Sequence, residues 1–376
     1  MSRKRSAGNG DGSVYRVRGR NLWAASVTKR TANGGSKRVV QYAKTRSEAL
    51  EKRRKMLLSS PMASVGTGKI TVATAVGRYL AQCDKRPTTL SRYRSLAENH
   101  IVPLLGAALV SQLTAGQIVE AMETMRTKGQ SASSRAQSLT VIRQALEQSI
   151  REGVIAVNPA TGIKRPRPDH FEHQVWTLEQ CRAFLACPAS KAHQHFPIFA
   201  VAIGGGMRIG EIFALRLEDF DPESAIVRIR RSVSEVEGEF HVGPPKTEAG
   251  NRSIVLPEFT AAIVRDHLAK RIASGAKHDD LLFPARGGQF VRRNRLGRIL
   301  TRLCGTAGVP RVRIHDLRHT SISFLLASGE NPKVVQERSG HGDIRVTLST
   351  YGHVLPGGQA GAAKKLGDMF DANGTE

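Results

Sequence analysis

Two proline- and glycine-bearing stretches, the second of them basic, cut this 376-residue chain into three pieces. Ser59 to Lys69 holds Pro61, Gly66 and Gly68, and Asn158 to Gln174 holds Lys164-Arg165-Pro166-Arg167-Pro168. Proline fixes φ and removes an amide donor, and glycine is costly inside helices and strands, so both stretches read as linkers. The expected organisation is a multidomain chain. A small three-stranded sheet plus helix falls in residues 1–62, an all-α domain in 69–160, and a mixed α+β domain in 175–376.

The first piece carries a disproportionate share of the charge. The whole chain has a formal net charge of +25, and residues 1–62 hold 16 Lys and Arg against 3 Asp and Glu. An excess of this size points to a polyanion, nucleic acid before anionic membrane. Residues 1–12 have a disordered composition. Val14–Arg18, Leu22–Val27 and Arg38–Tyr42 then read as short strands joined by turns, one of them Asn33-Gly34-Gly35. Thr45-x-x-Glu48 has the spacing of a capping box and opens a helix to about Leu58. Such a sheet can lay its strands in a DNA groove.

The second piece is helical throughout. Apolar residues recur at helical spacing in Val72–Leu80, Leu90–Val102, Ile118–Met125 and Leu139–Ile150, with helix starts at Pro87-Thr88-Thr89 and Thr114-x-x-Gln117. Ser133, Ser134, Arg135, Arg143 and Arg151 face either DNA phosphates or solvent. The basic second linker is suited to track a phosphate backbone.

In the third piece, Thr177-x-x-Gln180 caps a first helix. Ala225–Val233, Glu239–Val242 and Arg252–Leu256 read as strands, and helices follow over Pro257–Ala273, Arg292–Ala307 and after His315. No apolar run reaches the roughly 18 residues of a membrane span, and Phe196–Ile203 stops at three glycines. No apolar segment follows the basic N-terminus, so no secretory signal is expected. Cys83, Cys181, Cys187 and Cys304 have no C-x-x-C spacing and read as reduced thiols of a cytoplasmic protein.

The chemistry-bearing residues cluster in this last piece. Gly206-Met207-Arg208-Ile209-Gly210-Glu211 is followed by His315-Asp316-Leu317-Arg318-His319-Thr320, Gly340-His341 and Thr350-Tyr351-Gly352-His353. Always-protonated, fork-shaped arginines hold non-bridging phosphate oxygens, and a phenol can attack phosphorus. Glu211, three residues after Arg208, shares its helix face and is placed to orient that guanidinium or a histidine. His315 and Arg318 stand one helical turn apart.

These motifs, in this order and spacing, resemble the tyrosine recombinases, and within them the phage-type integrases with an N-terminal arm-binding domain. Asn99-His100-Ile101-Val102-Pro103-Leu104-Leu105-Gly106 resembles their core-binding helical domain, and the first sheet with Trp23 resembles the arm-binding domain. The resemblance implies Arg208, Lys246, His315, Arg318 and His341 as catalytic residues and Tyr351 as nucleophile, with Glu211 supporting. Lys246, in Pro245-Lys246-Thr247, would be the general acid for the leaving 5′ oxygen. His315 would assist proton transfer and His341 would donate to the scissile phosphate. His319 and His353 read as packing or supporting residues.

The expected product is a 3′-phosphotyrosine, formed and resolved without cofactor or metal. The expected partners are double-stranded DNA at attachment sites, three further copies in a homotetramer, and accessory bending or directionality proteins, with no membrane. A C-terminal helix over Ala360–Phe370 would dock through Leu366, Met369 and Phe370, on a neighbour or in cis. Ser339 departs from the family's apolar residue before Gly-His. Alternatives are a type IB-like topoisomerase, which shares the chemistry, and a DNA-binding regulator without chemistry. Zinc binding through His315 and His319 lacks a third ligand, and a metal-dependent nuclease lacks clustered carboxylates.

Overall fold

The alternating N-terminal segment forms three antiparallel strands, β1 (Ser13–Arg16), β2 (Trp23–Arg30) and β3 (Ser36–Ala43), in that order across one sheet. A computed structural model describes residues 13–17, 19, 21–30, 36–58, 70–167, 174–351, 363–364, 366–368 and 370. The chain divides into two compact units, Met1–His170 and Phe171–Glu376.

In the sheet, Tyr15 pairs with Ala24 and Ala24 with Tyr42. Because side chains alternate between faces, Val14, Trp23, Ala25, Val27, Val39 and Ala43 share one face. They pack with Ala49 of α1 (Arg46–Leu58). The opposite face presents Tyr15, Arg38 and Tyr42. The Arg38 guanidinium lies over the Tyr15 ring and donates to Ser26 Oγ at 3.0 Å. Thr45 accepts from Glu48 N at 3.2 Å, while the Glu48 carboxylate takes Lys44 N, one residue earlier than the box pattern predicts.

The helical part of this unit comprises α2 (Val72–Gln82), α3 (Pro87–Leu96), α4 (Val102–Leu105), α5 (Ala115–Thr127) and α6 (Ala132–Arg151). Ile118, Ala121, Met122 and Met125 recur at i, i+3, i+4 and i+7. They meet Leu139, Ile142 and Leu146 in one core. Thr114 and Gln117 form the predicted capping box. The stretch predicted as one helix over Leu90–Val102 begins at Pro87 and widens into a π turn at Ala97–Ile101. Pro103 has no amide for the carbonyl four residues back and its ring crowds that carbonyl, which favours such a local adjustment.

Arg143 is neither solvated nor turned outward. Its Nε donates to Ala160 O at 3.0 Å, and its Nη2 donates to Ile163 O. It therefore ties the start of the second linker to α6. Ser134 is likewise buried and accepts from Arg92 Nη2. Lys164, Arg165 and Arg167 are exposed and line a shallow cleft with Ser133 and Ala136.

The second unit is built round α9 (Phe196–Gly205). This helix follows α7 (Leu178–Ala186) and α8 (Pro188–Lys191) and is buried on all sides. The longest apolar run of the chain is thus its central helix. It packs against α11 (Glu258–Ala273) and α13 (Ile314–Ala327), and α12 (Arg293–Thr306) closes the same core. α10 (Ile209–Phe213) leads to β4 (Phe220–Asp221), β5 (Ile226–Ile229), β6 (Ser232–Val236), β7 (Glu239–Gly243) and β8 (Arg252–Val255).

The stretch expected as one strand over Ala225–Val233 is two strands in different sheets. β5 sits between β4 and β8, whereas β6 pairs with β7. The break falls at Arg230-Arg231, where Arg231 Nη2 bonds Glu218 at 3.0 Å and Asp219 at 2.7 Å. β6 and β7 join through Glu237 and Gly238, both at positive φ, as a two-residue hairpin loop demands. The last elements are α14 (Pro332–Ser339) and α15 (Ile344–Tyr351). Of the expected C-terminal helix, residues 363–364, 366–368 and 370 are helical, and Leu366 and Phe370 are exposed. Ala360 and Met369 lie outside the described residues. No helix among the described residues is long and apolar enough to cross a membrane.

Candidate active site

Two helices end on left-handed glycines, and their terminal carbonyls hold the arginines of the motifs. α9 closes on Gly206 (φ 61°) and α14 on Gly340 (φ 66°). Arg318, on α13, donates from Nη1 to Gly206 O at 2.7 Å and from Nη2 to Ser339 O at 2.8 Å. Arg208 donates from Nη2 to Gly340 O at 2.7 Å. The last carbonyls of a helix lack intrahelical partners and carry partial negative charge, so they accept guanidinium donors well. They bring no full negative charge to cancel the arginines. Ser339 is buried, and its main chain serves this purpose.

Glu211 is the carboxylate at this cluster and is 1% exposed. Its Oε1 accepts from Arg208 Nη1 at 2.8 Å, and its Oε2 from Arg208 N at 3.0 Å and from Arg252 Nη2 at 3.0 Å. Burial pushes its pKa up, but Arg252 and Arg208 outweigh that and hold it below the usual carboxylate range. The two residues do not share a helix face. Arg208 is the extended N-cap residue of α10, and Glu211 reaches back to it. Glu211 also orients Arg252, a residue no motif singled out. Arg252 Nε donates to Arg338 O at 2.7 Å. The sequence signal for Arg252 was weak, since it opens a strand with no distinctive neighbours.

His341 follows Gly340. Its Nε2 lies 2.8 Å from Arg318 Nη2, and its Nδ1 lies 2.8 Å from Thr347 Oγ1 on α15. Arginine has only donors, so Nε2 accepts and the ring proton sits on Nδ1, toward Thr347. Burial first, then Arg318 and Arg208, depress its pKa to about 4, so the ring is neutral at pH 7. The same forces, burial and then Arg208, lower Arg318. That guanidinium is 2% exposed and stays charged because its intrinsic pKa is so high.

Lys246 is exposed in the connection from β7 to β8. That connection is no hairpin, because its two strands belong to different sheets. It is pinned beside Lys246 by Thr247 Oγ1, which donates to Gly340 O at 3.2 Å. The lysine backbone is therefore next to the residue that contacts the Gly340-His341 turn.

His315 and His319 stand on α13 with ring centroids 4.8 Å apart, edge to face. The first turn of α13 is fixed by Asp316, which accepts from Arg313 N and Nε at 2.9 Å and from Arg313 Nη2 at 2.8 Å. Tyr351 ends α15, is 3% exposed, and packs with Ile322, Leu326 and Val335. Its hydroxyl hydrogen-bonds His319 Nδ1. Burial raises the phenol pKa above its ordinary value, against the lowering effect of Arg318. His319, read from the sequence as a packing residue, thus touches the candidate nucleophile. Its only sequence signal was its place at i+4 from His315. His353 lies outside the described residues.

The structure thus gathers Arg208, Glu211, Arg318, His341 and the Lys246 loop around the ends of α9 and α14, and brings Tyr351 to α13. Comparison with known proteins bears on the family and the fold. Residues 175–357 match the phage integrase family. The ICEBs1 integrase of Bacillus subtilis (strain 168) is 24% identical over 342 residues, covering 87% of this chain and 91% of that protein. The integrase of Mycobacterium phage L5 is 26% identical over 282 residues, covering 74% of each. Among solved structures, the Tn1549 transposon integrase bound to a circular intermediate DNA superposes with a TM-score of 0.69 at 21% identity, over 80% of this chain and 99% of that one. A lambda integrase tetramer bound to a Holliday junction gives 0.55 at 14% identity, over 90% and 97%.

Proposed function

The chain belongs to the phage integrase family, the tyrosine-type site-specific recombinases of phages and mobile elements, and on that footing we propose how its residues do the chemistry. Tyr351 attacks a DNA phosphodiester and becomes joined to the 3′ phosphate. Arg208 and Arg318, set by helix-end carbonyls, direct their remaining donors to the non-bridging oxygens, where negative charge grows in the transition state. His315 adds a hydrogen bond at the same phosphate, and His341 adds one once Arg318 releases Nε2 and the ring proton moves there from Nδ1. Lys246 protonates the leaving 5′ oxygen. Glu211 positions Arg208 and Arg252 without touching the substrate.

The observation that carries this reading is the charge balance of the site. Arg208, Arg252 and Arg318 converge with one carboxylate, Glu211, and find their other partners in main-chain oxygens and the neutral His341 ring. Such a cluster is set to receive an anion. The covalent link conserves the bond energy of the broken ester, so rejoining needs neither ATP nor metal.

The partner is double-stranded DNA at attachment sites, in the cytoplasm of a bacterial host, and four copies act together because each supplies one tyrosine for one strand. The DNA complexes of the Tn1549 and lambda integrases support this. The helical part of the first unit and the basic stretch Lys164–Arg167 bind the crossover region. The open sheet face with Tyr15, Arg38 and Tyr42 reads separate, distal sites. Accessory bending or directionality proteins act at the same sites.

The test is a Tyr351→Phe protein on a nicked duplex that traps the cleaved state. Adduct formation is expected to vanish while gel-shift affinity is kept. An adduct formed by the phenylalanine variant would overturn the assignment, and a wild-type protein that binds without ever forming one would indicate a regulator.

A further inference from the structure

We propose that His319 is a further catalytic residue, the base that takes the phenolic proton of Tyr351. The inference rests on Tyr351 being the nucleophile and assigns what activates it.

A buried phenol is a poor nucleophile until its proton leaves, and burial makes that loss harder. The proton needs an acceptor in contact with the oxygen. His319 Nδ1 is in hydrogen-bond contact with Tyr351 Oη, and the two rings lie 5.5 Å apart, centroid to centroid. His319 is 7% exposed, so bulk water does not compete freely for the ring. His341 is turned elsewhere, with one nitrogen on Arg318 and the other on Thr347.

One neighbour, a carboxylate, favours a proton on His319 once it arrives. Asp316 stands three residues earlier on α13, 2% exposed, and its charge interacts with the His319 ring. Arg313 holds that carboxylate ionised through three hydrogen bonds. His315 lies against the His319 ring, Arg318 adjoins it in sequence, and both oppose the imidazolium. Asp316 offsets them. Nucleophile and base are thus in contact, and the charge of a nearby carboxylate acts on the base.

The step balances within the site. His319 begins neutral, with its proton on Nε2 and the Nδ1 lone pair facing the phenol. The Oη–H bond breaks and its proton passes to Nδ1. The freed oxygen pair forms the Oη–P bond, and the P–O5′ bond breaks with its pair on O5′. That oxygen takes a proton from the Lys246 ammonium. Religation runs both transfers backward, with His319 returning the proton to Tyr351.

The experiment measures single-turnover adduct formation by the full chain on a nicked duplex bearing the crossover sequence read from recombination junctions. His319→Ala is expected to slow the step about 10²–10⁴-fold, the usual worth of a positioned base. Free imidazole is expected to restore part of the rate. His319→Asn keeps a polar side chain that takes no proton at neutral pH, and is expected to be as slow while binding the duplex like wild type. A bridging 5′-phosphorothiolate, whose sulfur leaves without protonation, is expected to rescue Lys246→Ala and not His319→Ala. Wild-type rates in either His319 variant overturn the proposal, as does rescue by the thiolate leaving group in place of imidazole. Absence of any adduct from the wild-type protein overturns the nucleophile assignment instead.

Discussion

Arg318 is a buried cation whose partners are all neutral, two carbonyls and an uncharged imidazole. A buried charge is costly unless its donors are matched, and here geometry meets the cost without a carboxylate. On the proposed reading, Arg318→Ala lowers cleavage by ~10²–10³-fold with little change in DNA affinity. Arg318→Lys recovers little of it, since one ammonium cannot span two carbonyls and a phosphate. Single-turnover cleavage beside gel-shift titration checks both. The buried histidines make a separate prediction. Burial, with neighbouring positive charge, depresses His195 and His341 to about 4. Each binds a proton in the unfolded chain, but not in the folded one, as pH falls from about 6.5 toward 4. Stability present above that window is therefore lost on acidification, by about 1.4 kcal/mol per pH unit for each histidine. Urea unfolding at pH 7 and pH 5 is expected to show the fall, and His195→Gln to reduce it. At this scale the motif residues were legible because chemistry dictates their type. Arg252 and His319 were not, because their importance lies in contacts 41 and 32 residues away in the chain.

At the scale of elements, the helix ends were the most readable feature. Thr114 with Gln117 and Thr177 with Gln180 both cap reciprocally, as local side-chain chemistry requires. The break between β5 and β6 was hidden, since Arg230 and Arg231 fit an extended pattern and the ion pairs that bend the chain there are tertiary. The turn after α14 shows how an element end governs the site. At Gly340 a Cβ would meet Arg252 Nη1 at 2.6 Å and Ala249 O at 3.0 Å, on a backbone already at φ 66°. Gly340→Ala is expected to cost about 1–3 kcal/mol and to displace the carbonyl that holds Arg208. Cleavage should fall further than the shift in urea midpoint accounts for. A variant cleaving at the wild-type rate would show that this turn does not set the arginines.

For the whole molecule, the uneven charge is the dominant fact: 16 of 57 basic residues lie within the first 62. If the sheet face with Tyr15, Arg38 and Tyr42 reads its own sites, one chain has two DNA affinities. Deleting residues 1–62 is then expected to erase footprints at distal sites and leave core cleavage intact. The lost binding should be the more salt-sensitive, by roughly 0.9 in log–log slope per phosphate neutralised. Identical footprints would reduce this module to a non-specific tail. The order of small sheet, helical region and mixed α/β region was legible from the change in hydrophobic period along the chain. The pairing of β5 with β4 and β8, and of β6 with β7, was not, because sheet partners are chosen by the assembled core. The carbonyl-held arginines also bear on handling. Since Arg318 has no acidic partner among its hydrogen bonds and Glu211 can stay on Arg208, sulfate, inorganic phosphate or vanadate can enter where a diester phosphate would. The protein should be inhibited by these oxyanions beyond what chloride does at equal ionic strength, and a phosphate buffer would mask its activity.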